Sequence, residues 1–491
     1  MGDLSSTKEK VASNLVWRLL ERFGAQFVTL IVSIVLARIL DPTAYGTIAL
    51  VMVFVAILQV FVESGLATAL IQKKEADDLD FSTVFHFNIV ASLLLYFLLF
   101  FLSPLVAEFF NKDELTIILR ILGLSVIISG IKSVQQSFIA REMKFRLFFF
   151  ATLGGTIGAA IIGIWFALLG FGVWALVAQY LFNLTVDTII LSLLIKWHPK
   201  MIFSFERLKS LFSYGWKLLI SALIATTYNE LQSLVIGKRY SSDSLAFFDR
   251  GRQFPNLIVT NINSSIDSVL LPTMSKEQDN KERVKLMTRR SIKISTYIMM
   301  PMMVGLAVCA EPIVLLLLTE KWLPAVPFLR IFCIIYAFYP IHTANLNAIK
   351  AVGRSDYFLI IEIIKKLVGL TIIFITMFIS VEAIAYGMII TTILSQIINS
   401  WPNKKLLNYS YFDQIKDMAP QLLLSLLMGV FVFLIGIIPF PAWAILIIQV
   451  SSGVVIYIVL SRLFRIDSYY YVVDLCKKML VPKINRITKR G

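Results

Sequence analysis

Arg18, Arg22, Gln26, Thr29 and Ser33 follow one another at steps of 4, 4, 3 and 4 residues. At 100° per residue these five side chains fall within about 80° of one helix face, so a helix here carries a polar stripe along its depth. The same spacing recurs in Arg252, Asn256, Thr260, Asn263 and Asp267. Lys217, Ser221, Ala225, Tyr228 and Gln232 repeat the first stripe at an offset of 199 with one interruption, and Ser125, Ser129, Lys132 and Gln136 form a shorter version. Serine and threonine alone would suit interhelical hydrogen bonds between buried faces. The lysines and arginines point instead to a hydrated, cationic cavity with an anionic cargo. Arginine's planar fork matches phosphate bidentately, and low-dielectric walls strengthen the attraction. Trp17, Phe23, Tyr228, Phe254 and Tyr339 lie near the stripes, where rings either stack on sugars or simply pack.

Other chemistries find little support. Cys309, Cys333 and Cys476 are scattered, as are His86, His198 and His342, so neither a disulfide framework nor a metal-ligand spacing exists. No metal site and no organic cofactor are expected.

The stripes must be held by apolar helices. The chain has 491 residues, 58% hydrophobic and 16% charged, with a mean hydropathy of +0.80. A soluble chain would carry roughly 25% charged residues, so the expectation is an all-α polytopic membrane protein. About fourteen spans are read, near 16–40, 47–71, 82–108, 115–140, 147–169, 172–196, 211–236, 245–275, 291–318, 325–349, 357–380, 383–400, 419–438 and 442–464. The net charge of +15 sorts by side. Lys73, Lys74, "REMKFR" (141–146), Lys196, Lys200, Arg207, Lys209, a "KEQDNKERVKLMTRR" loop (276–290), Lys350, Arg354, Lys404, Lys405 and the basic tail share one face. The other holds little beyond Arg38, Lys112, Lys238, Arg239 and Lys321. The positive-inside rule then places both termini in the cytoplasm and removes nucleic acid as the reason for the charge. No cleavable leader is expected, because the segment after Lys8 and Lys10 is too long for one. No connection exceeds roughly twenty residues, so no soluble catalytic domain is expected, which leaves transport or signalling through the bundle.

Within the spans, Glu21, Glu63, Asp187, Glu230, Asp249, Asp267 and Glu362 face a larger set of cations, including Arg120, Lys132, Lys217, Arg250, Arg252, Lys293, Arg330, Lys365 and Lys366. Some of these, Lys293, Lys365 and Lys366 above all, are expected to snorkel to the cytoplasmic surface. The chain also repeats itself. Trp17-Arg18-Leu19-Leu20 falls on Trp216-Lys217-Leu218-Leu219, and "SFIAREMKFRLFF" (137–149) on "NAIKAVGRSDYFL" (347–359) at an offset of 210. This predicts two parallel six-helix lobes, 1–200 and 201–400, followed by two extra helices and a basic tail over 401–491, with the substrate site between the repeats.

Three motifs resemble a known family. "VLARILDPTAYGTIALV" (35–51), "SLAFFDRGRQFPNLI" (244–258) and "NAIKAVGRSDYFL" (347–359) are similar to hallmarks of polysaccharide exporters and O-unit flippases of the multidrug/oligosaccharidyl-lipid/polysaccharide superfamily. The colanic-acid and teichuronic-acid branch is the nearest in pattern. The resemblance implies alternating-access transfer of a polyprenyl-diphosphate-linked oligosaccharide to the outer leaflet of a bacterial inner membrane. It implies that Arg18, Arg22, Arg250 and Arg252 bind the diphosphate, and that H⁺ or Na⁺ coupling, where present, uses intramembrane acids, with Glu63 and Asp267 as candidates. A polysaccharide polymerase and glycosyltransferases are the implied protein partners. Pro42 and Gly46 read as shaping a turn. Gln26, Lys132, Lys217, Tyr228, Gln232, Asn256 and Asn263 complete the candidate binding set, and no catalytic residue is assigned. Two alternatives stay open: an ion-coupled drug exporter of the same fold, which would want an acidic cavity, and a non-transporting scaffold for polysaccharide assembly.

Overall fold

The computed structural model describes residues 24–63, 65–142, 144–474 and 477, and all regular structure among them is helical. The helices group into two compact units, Met1–Ala246 and Phe247–Gly491. The first contains α1 (Gly24–Ile39) and α2 (Pro42–Glu63), α3 (Leu66–Gln72), α4 (Asp78–Phe110), α5 (Glu114–Arg141), α6 (Phe145–Leu168), α7 (Val173–Leu194) and α8 (Phe205–Arg239). The unit boundary falls inside α9 (Ser242–Lys276). The second continues with α10 (Lys281–Val308), α11 (Ala310–Leu317), a 3₁₀ turn (Glu320–Ala325), α12 (Val326–Ala337), α13 (Tyr339–Ala351), α14 (Ser355–Thr376), α15 (Val381–Leu407), α16 (Tyr411–Gly436) and α17 (Ala442–Leu463).

Eleven helical stretches among the described residues are long and apolar enough to cross a membrane, which makes this a multi-pass membrane protein. Two long helices fall outside that count for a physical reason: α9 carries the Arg252–Asp267 stripe, and α14 carries Glu362, Lys365 and Lys366. Three expected spans are interrupted. The second breaks at Gly65, whose φ of 85° is left-handed, the ninth at Cys309, and the tenth at Phe338.

Local sequence sets the helix ends. Asp77 and Asp80 form a capping box at the start of α4, as Ser410 and Asp413 do for α16. Asn111 and Asn408 end α4 and α15 in the left-handed conformation. The basic stretch expected as a loop over 276–290 is mostly helix, a correction with a clear cause. The Asn280 side chain accepts the Arg283 N–H, and Arg283 pairs with Glu277 at 2.9 Å, so α10 starts at Lys281.

In unit 1, α8 packs on α2, α3 and α4. Glycines allow the approach: a Cβ on Gly215 would lie 2.9 Å from the Gly65 carbonyl carbon. Gly46 also differs from its expected role. It sits inside α2 rather than in the turn, and a Cβ there would lie 1.8 Å from the Ser242 carbonyl oxygen. In unit 2, α16 and α17 are integral. Asp417 accepts from Arg289 at 2.7 and 2.8 Å and from the Tyr409 hydroxyl at 2.9 Å, and Lys293 lies 3.3 Å away. Tyr297 of α10 donates to Ser461 of α17 at 3.1 Å, over a core of Leu424, Met428 and Val432.

Gly46→Ala is therefore expected to lower the melting temperature of the purified protein, at a cost of about 1–3 kcal/mol for overpacking. Gly305→Ala, whose nearest neighbour would be the Met428 methyl at 3.9 Å, should be neutral or slightly stabilising.

Candidate functional site

Unit 1 brings together a set of polar side chains from α2, α5 and α7, with Glu63 exposed and Asp187 buried. Gln59 and Glu63 stand one turn apart on α2, Ser125, Ser129 and Lys132 on α5, and Tyr180 and Asp187 on α7. Gln59 Nε2 donates to Ser129 Oγ and to the Tyr180 hydroxyl, both at 3.1 Å. Lys132 Nζ lies 2.5 Å from Asp187 Oδ2, with side-chain exposures of 17% and 5%. Glu63 accepts from Ser129 and feels the Lys132 charge. Lys132 is thus ion-paired with Asp187, with the Glu63 carboxylate farther off in its field. The other carboxylate oxygen of Asp187 is buried without a hydrogen-bond partner, and Gly155 is what lets α6 close over it, since a Cβ there would lie 3.1 Å from Asp187 Cβ.

At one end of the same unit, Asp80 is fully buried and held by Lys73 at 2.5 Å and Arg207 at 3.7 Å. Lys200 pairs with Asp78 at 2.6 Å, and the Lys200 and Ser204 N–H groups donate to Ser82 and Thr83. Asp77 is held below the usual carboxylate range, chiefly because it accepts the Asp80 N–H. Of the expected residues, Gln26 on α1 and Tyr228 and Gln232 on α8 are half-buried, and Lys217 is exposed. Arg18 and Arg22 lie outside the described residues.

Unit 2 holds the other stripe. Arg252 pairs with Asp249 at 2.9 Å, one turn back on α9. Arg250 is buried, donates to Gln253 at 2.5 Å and sits over the Trp322 ring at 5.2 Å. The two neighbouring arginines therefore differ: Arg250 is packed into the unit, while Arg252 is half-exposed and lies near Tyr336 and Tyr339. Further along, Asn256, Thr260 and Asp267 are exposed. Asp267 accepts from Asn347 at 2.8 Å, and the Asn263 carboxamide oxygen is buried without a partner.

The structure also revises the tally of intramembrane charge. Lys365 pairs with Glu362 rather than snorkelling; it lies ten residues into α14, about 15 Å along the axis. Lys293 has Asp417, which the span boundaries had excluded. Tyr180, Gln59 and the pairing role of Asp187 were not singled out from sequence. Their signal was present: polar side chains at i, i+4 on α2 and i, i+7 on α7, inside otherwise apolar runs.

The profile of the polysaccharide biosynthesis protein family matches residues 35–327. The chain belongs to this family. It is 29% identical over 355 residues to the succinoglycan biosynthesis transport protein ExoT of Rhizobium meliloti (strain 1021), covering 70% of each chain. It is 24% identical over 421 residues to the teichuronic acid biosynthesis protein TuaB of Bacillus subtilis (strain 168), covering 82% of this chain and 85% of that one. The lipopolysaccharide biosynthesis protein WzxC of Escherichia coli (strain K12) is 23% identical over 419 residues, covering 84% and 82%. Among solved structures, the lipid II flippase MurJ in an inward closed conformation superposes with a TM-score of 0.74 at 18% identity, over 91% of this chain and 98% of that one. An inward-facing multidrug resistance transporter of the superfamily gives 0.62 at 18% identity, over 78% and 94%. The family and fold expected from the three motifs are those found: a polysaccharide biosynthesis protein with the fold of the multidrug/oligosaccharidyl-lipid/polysaccharide superfamily.

The Lys132–Asp187 pair generates a direct test. Lys132→Met and Asp187→Leu should each destabilise the protein by about 3–5 kcal/mol, because each leaves a buried charge alone. The double variant should recover at least half of that loss in thermal unfolding.

Proposed function

We propose that the protein is a flippase for a polyprenyl-diphosphate-linked oligosaccharide, moving it by alternating access from the cytoplasmic to the outer leaflet of a bacterial cytoplasmic membrane. The observation that carries this reading is α9. A membrane helix whose exposed positions include Asn256, Thr260 and Asp267 faces water or polar cargo there, because acyl chains offer these groups no partner. Arg252, at the head of that face, supplies a guanidinium fork for a diphosphate. On this reading Arg18 and Arg22 supply further cations, Gln26, Lys217, Tyr228, Gln232, Asn256 and Asn263 contact the glycan, and Arg250 holds α9 in place through Trp322. The names of the relatives, which include a succinoglycan transport protein and a lipopolysaccharide biosynthesis protein, support a glycan cargo.

Coupling to H⁺ or Na⁺ belongs to the same proposal. Glu63 is the better candidate of the two acids, since it lies in the field of the Lys132–Asp187 pair without an ion pair of its own to Lys132, whereas Asp267 bonds Asn347. A polymerase and glycosyltransferases are the protein partners this role calls for. A scaffold without transport would not need Arg252.

In cells carrying only the variant, Arg252→Ala at normal protein level should cut surface glycan export about tenfold or more, the loss of one charge-assisted contact of roughly 1.5–3 kcal/mol. Undiminished export would sink the proposal. Glu63→Gln should keep cargo binding and lose the response of transport to an imposed pH or Na⁺ gradient. A response equal to wild type would remove Glu63 from the coupling.

A further inference from the structure

Pro104 lies inside α4. It has no N–H, so the Phe100 carbonyl one turn earlier loses its helical partner. Two donors replace it: the Ser103 hydroxyl of α4 donates to the Phe100 carbonyl at 2.8 Å, and Arg120 Nε of α5 donates to that carbonyl at 3.3 Å and to Ser103 Oγ at 3.1 Å, with the guanidinium carbon 4.1 Å over the Phe100 ring. This uses one of the five N–H groups of the side chain. The two terminal nitrogens bond to no described residue, and no carboxylate among the described residues pairs with Arg120.

Their surroundings are lipid-facing. Ile117 and Leu124, at i−3 and i+4 on α5, are 53% and 40% exposed, and on α4 Phe97 and Phe101 are 51% and 72% exposed. Arg120 lies six residues into α5, about 9 Å along the axis from the Glu114 end. The α5 helix is 28 residues long, about 42 Å against a hydrocarbon core of about 30 Å. A half-buried positive charge thus sits near the edge of the acyl chains, anchored by Nε, with the four N–H groups of its terminal nitrogens unmatched by the described residues. Such groups are costly in hydrocarbon without a polar partner.

The other unit shows how the chain treats the equivalent position. Arg330 lies 210 residues beyond Arg120, the offset that relates "SFIAREMKFRLFF" to "NAIKAVGRSDYFL". Arg330 Nε on α12 also donates to a main-chain carbonyl of a neighbouring helix, that of Ala307 on α10 at 3.3 Å. Arg330 has a carboxylate, Glu311, at 4.0 Å. Arg120 does not.

We propose that the α4–α5 groove at Arg120 is a binding site for the phosphate of a membrane phospholipid, with the acyl chains along Phe97, Phe101, Ile117 and Leu124. Charge selects the occupant. One guanidinium neutralises the single charge of a phosphodiester, while a diphosphate would leave charge unmatched at this depth. The site lies outside the residues assigned to cargo and does not depend on the cargo's identity.

Native mass spectrometry of the full-length protein, titrated with dioctanoyl phosphatidylglycerol, tests it. Because Arg120 also caps Phe100, the informative variant is Pro104→Ala/Arg120→Gln, in which the new N–H at position 104 restores the helical bond. Wild type and Arg330→Gln should each bind one more lipid than the double variant, with affinity at least tenfold higher, and dioctanoylglycerol, which lacks the phosphate, should not compete. Equal binding by wild type and a folded double variant would overturn the proposal. Displacement of the lipid by farnesyl diphosphate at equal or lower concentration would overturn the choice of a phospholipid and assign the site to a diphosphate.

Discussion

Acyl chains offer no hydrogen bonds, so every polar group at membrane depth in this protein must find a partner in protein, water or cargo. This constraint orders the rest of the structure. Where protein supplies the partner, the result is rigid packing: Lys132 with Asp187, Asp417 with Arg289 and Tyr409, and Asn345, Asn403 and Gln414 bonded to one another in the unit 2 core. On α9, Thr260 donates to Asn256 on the same helix at 3.3 Å and both stay exposed, so that polar face is turned away from the protein interior. The division between buried and exposed polar groups separates framework from functional surface in a chain where both look alike in composition.

The buried pairs also explain why the protein tolerates so many charges. A lysine next to a carboxylate at 2.5 Å presents a nearly neutral pair to its surroundings, whereas either partner alone would face a desolvation penalty of several kcal/mol. The Lys132 site is unusual in having a second acid, Glu63, near the same ammonium. The α16–α17 pair has a framework role through Asp417, Tyr297 and Tyr457, so these two helices are part of the packing of unit 2.

Much of this was legible in the sequence. Hydropathy revealed a multi-pass helical protein, and three short motifs revealed its family. The stripe on α9 was visible because arginine and asparagine at steps of 4 and 3 stand out in an apolar run. Partnering was less legible. Counting charges within spans suggested a cationic excess, but Asp417 lay just outside a span boundary and Lys365 found Glu362 one turn away. Gly46 was read as a turn residue because Pro42 precedes it; its actual role, close approach to Ser242, is a long-range contact that no local pattern encodes. The breaks at Gly65, Cys309 and Phe338 were hidden because hydropathy continues across them.

The central claim is that the protein moves a lipid-linked glycan across the membrane. It is tested most directly by locating that intermediate in cells depleted of the protein, by labelling its sugars from outside with a membrane-impermeant probe and again after the membrane is opened. The account predicts that the intermediate accumulates and is labelled only after opening. Accumulation of an intermediate already accessible from outside would contradict it, because the transfer would then have occurred without this protein.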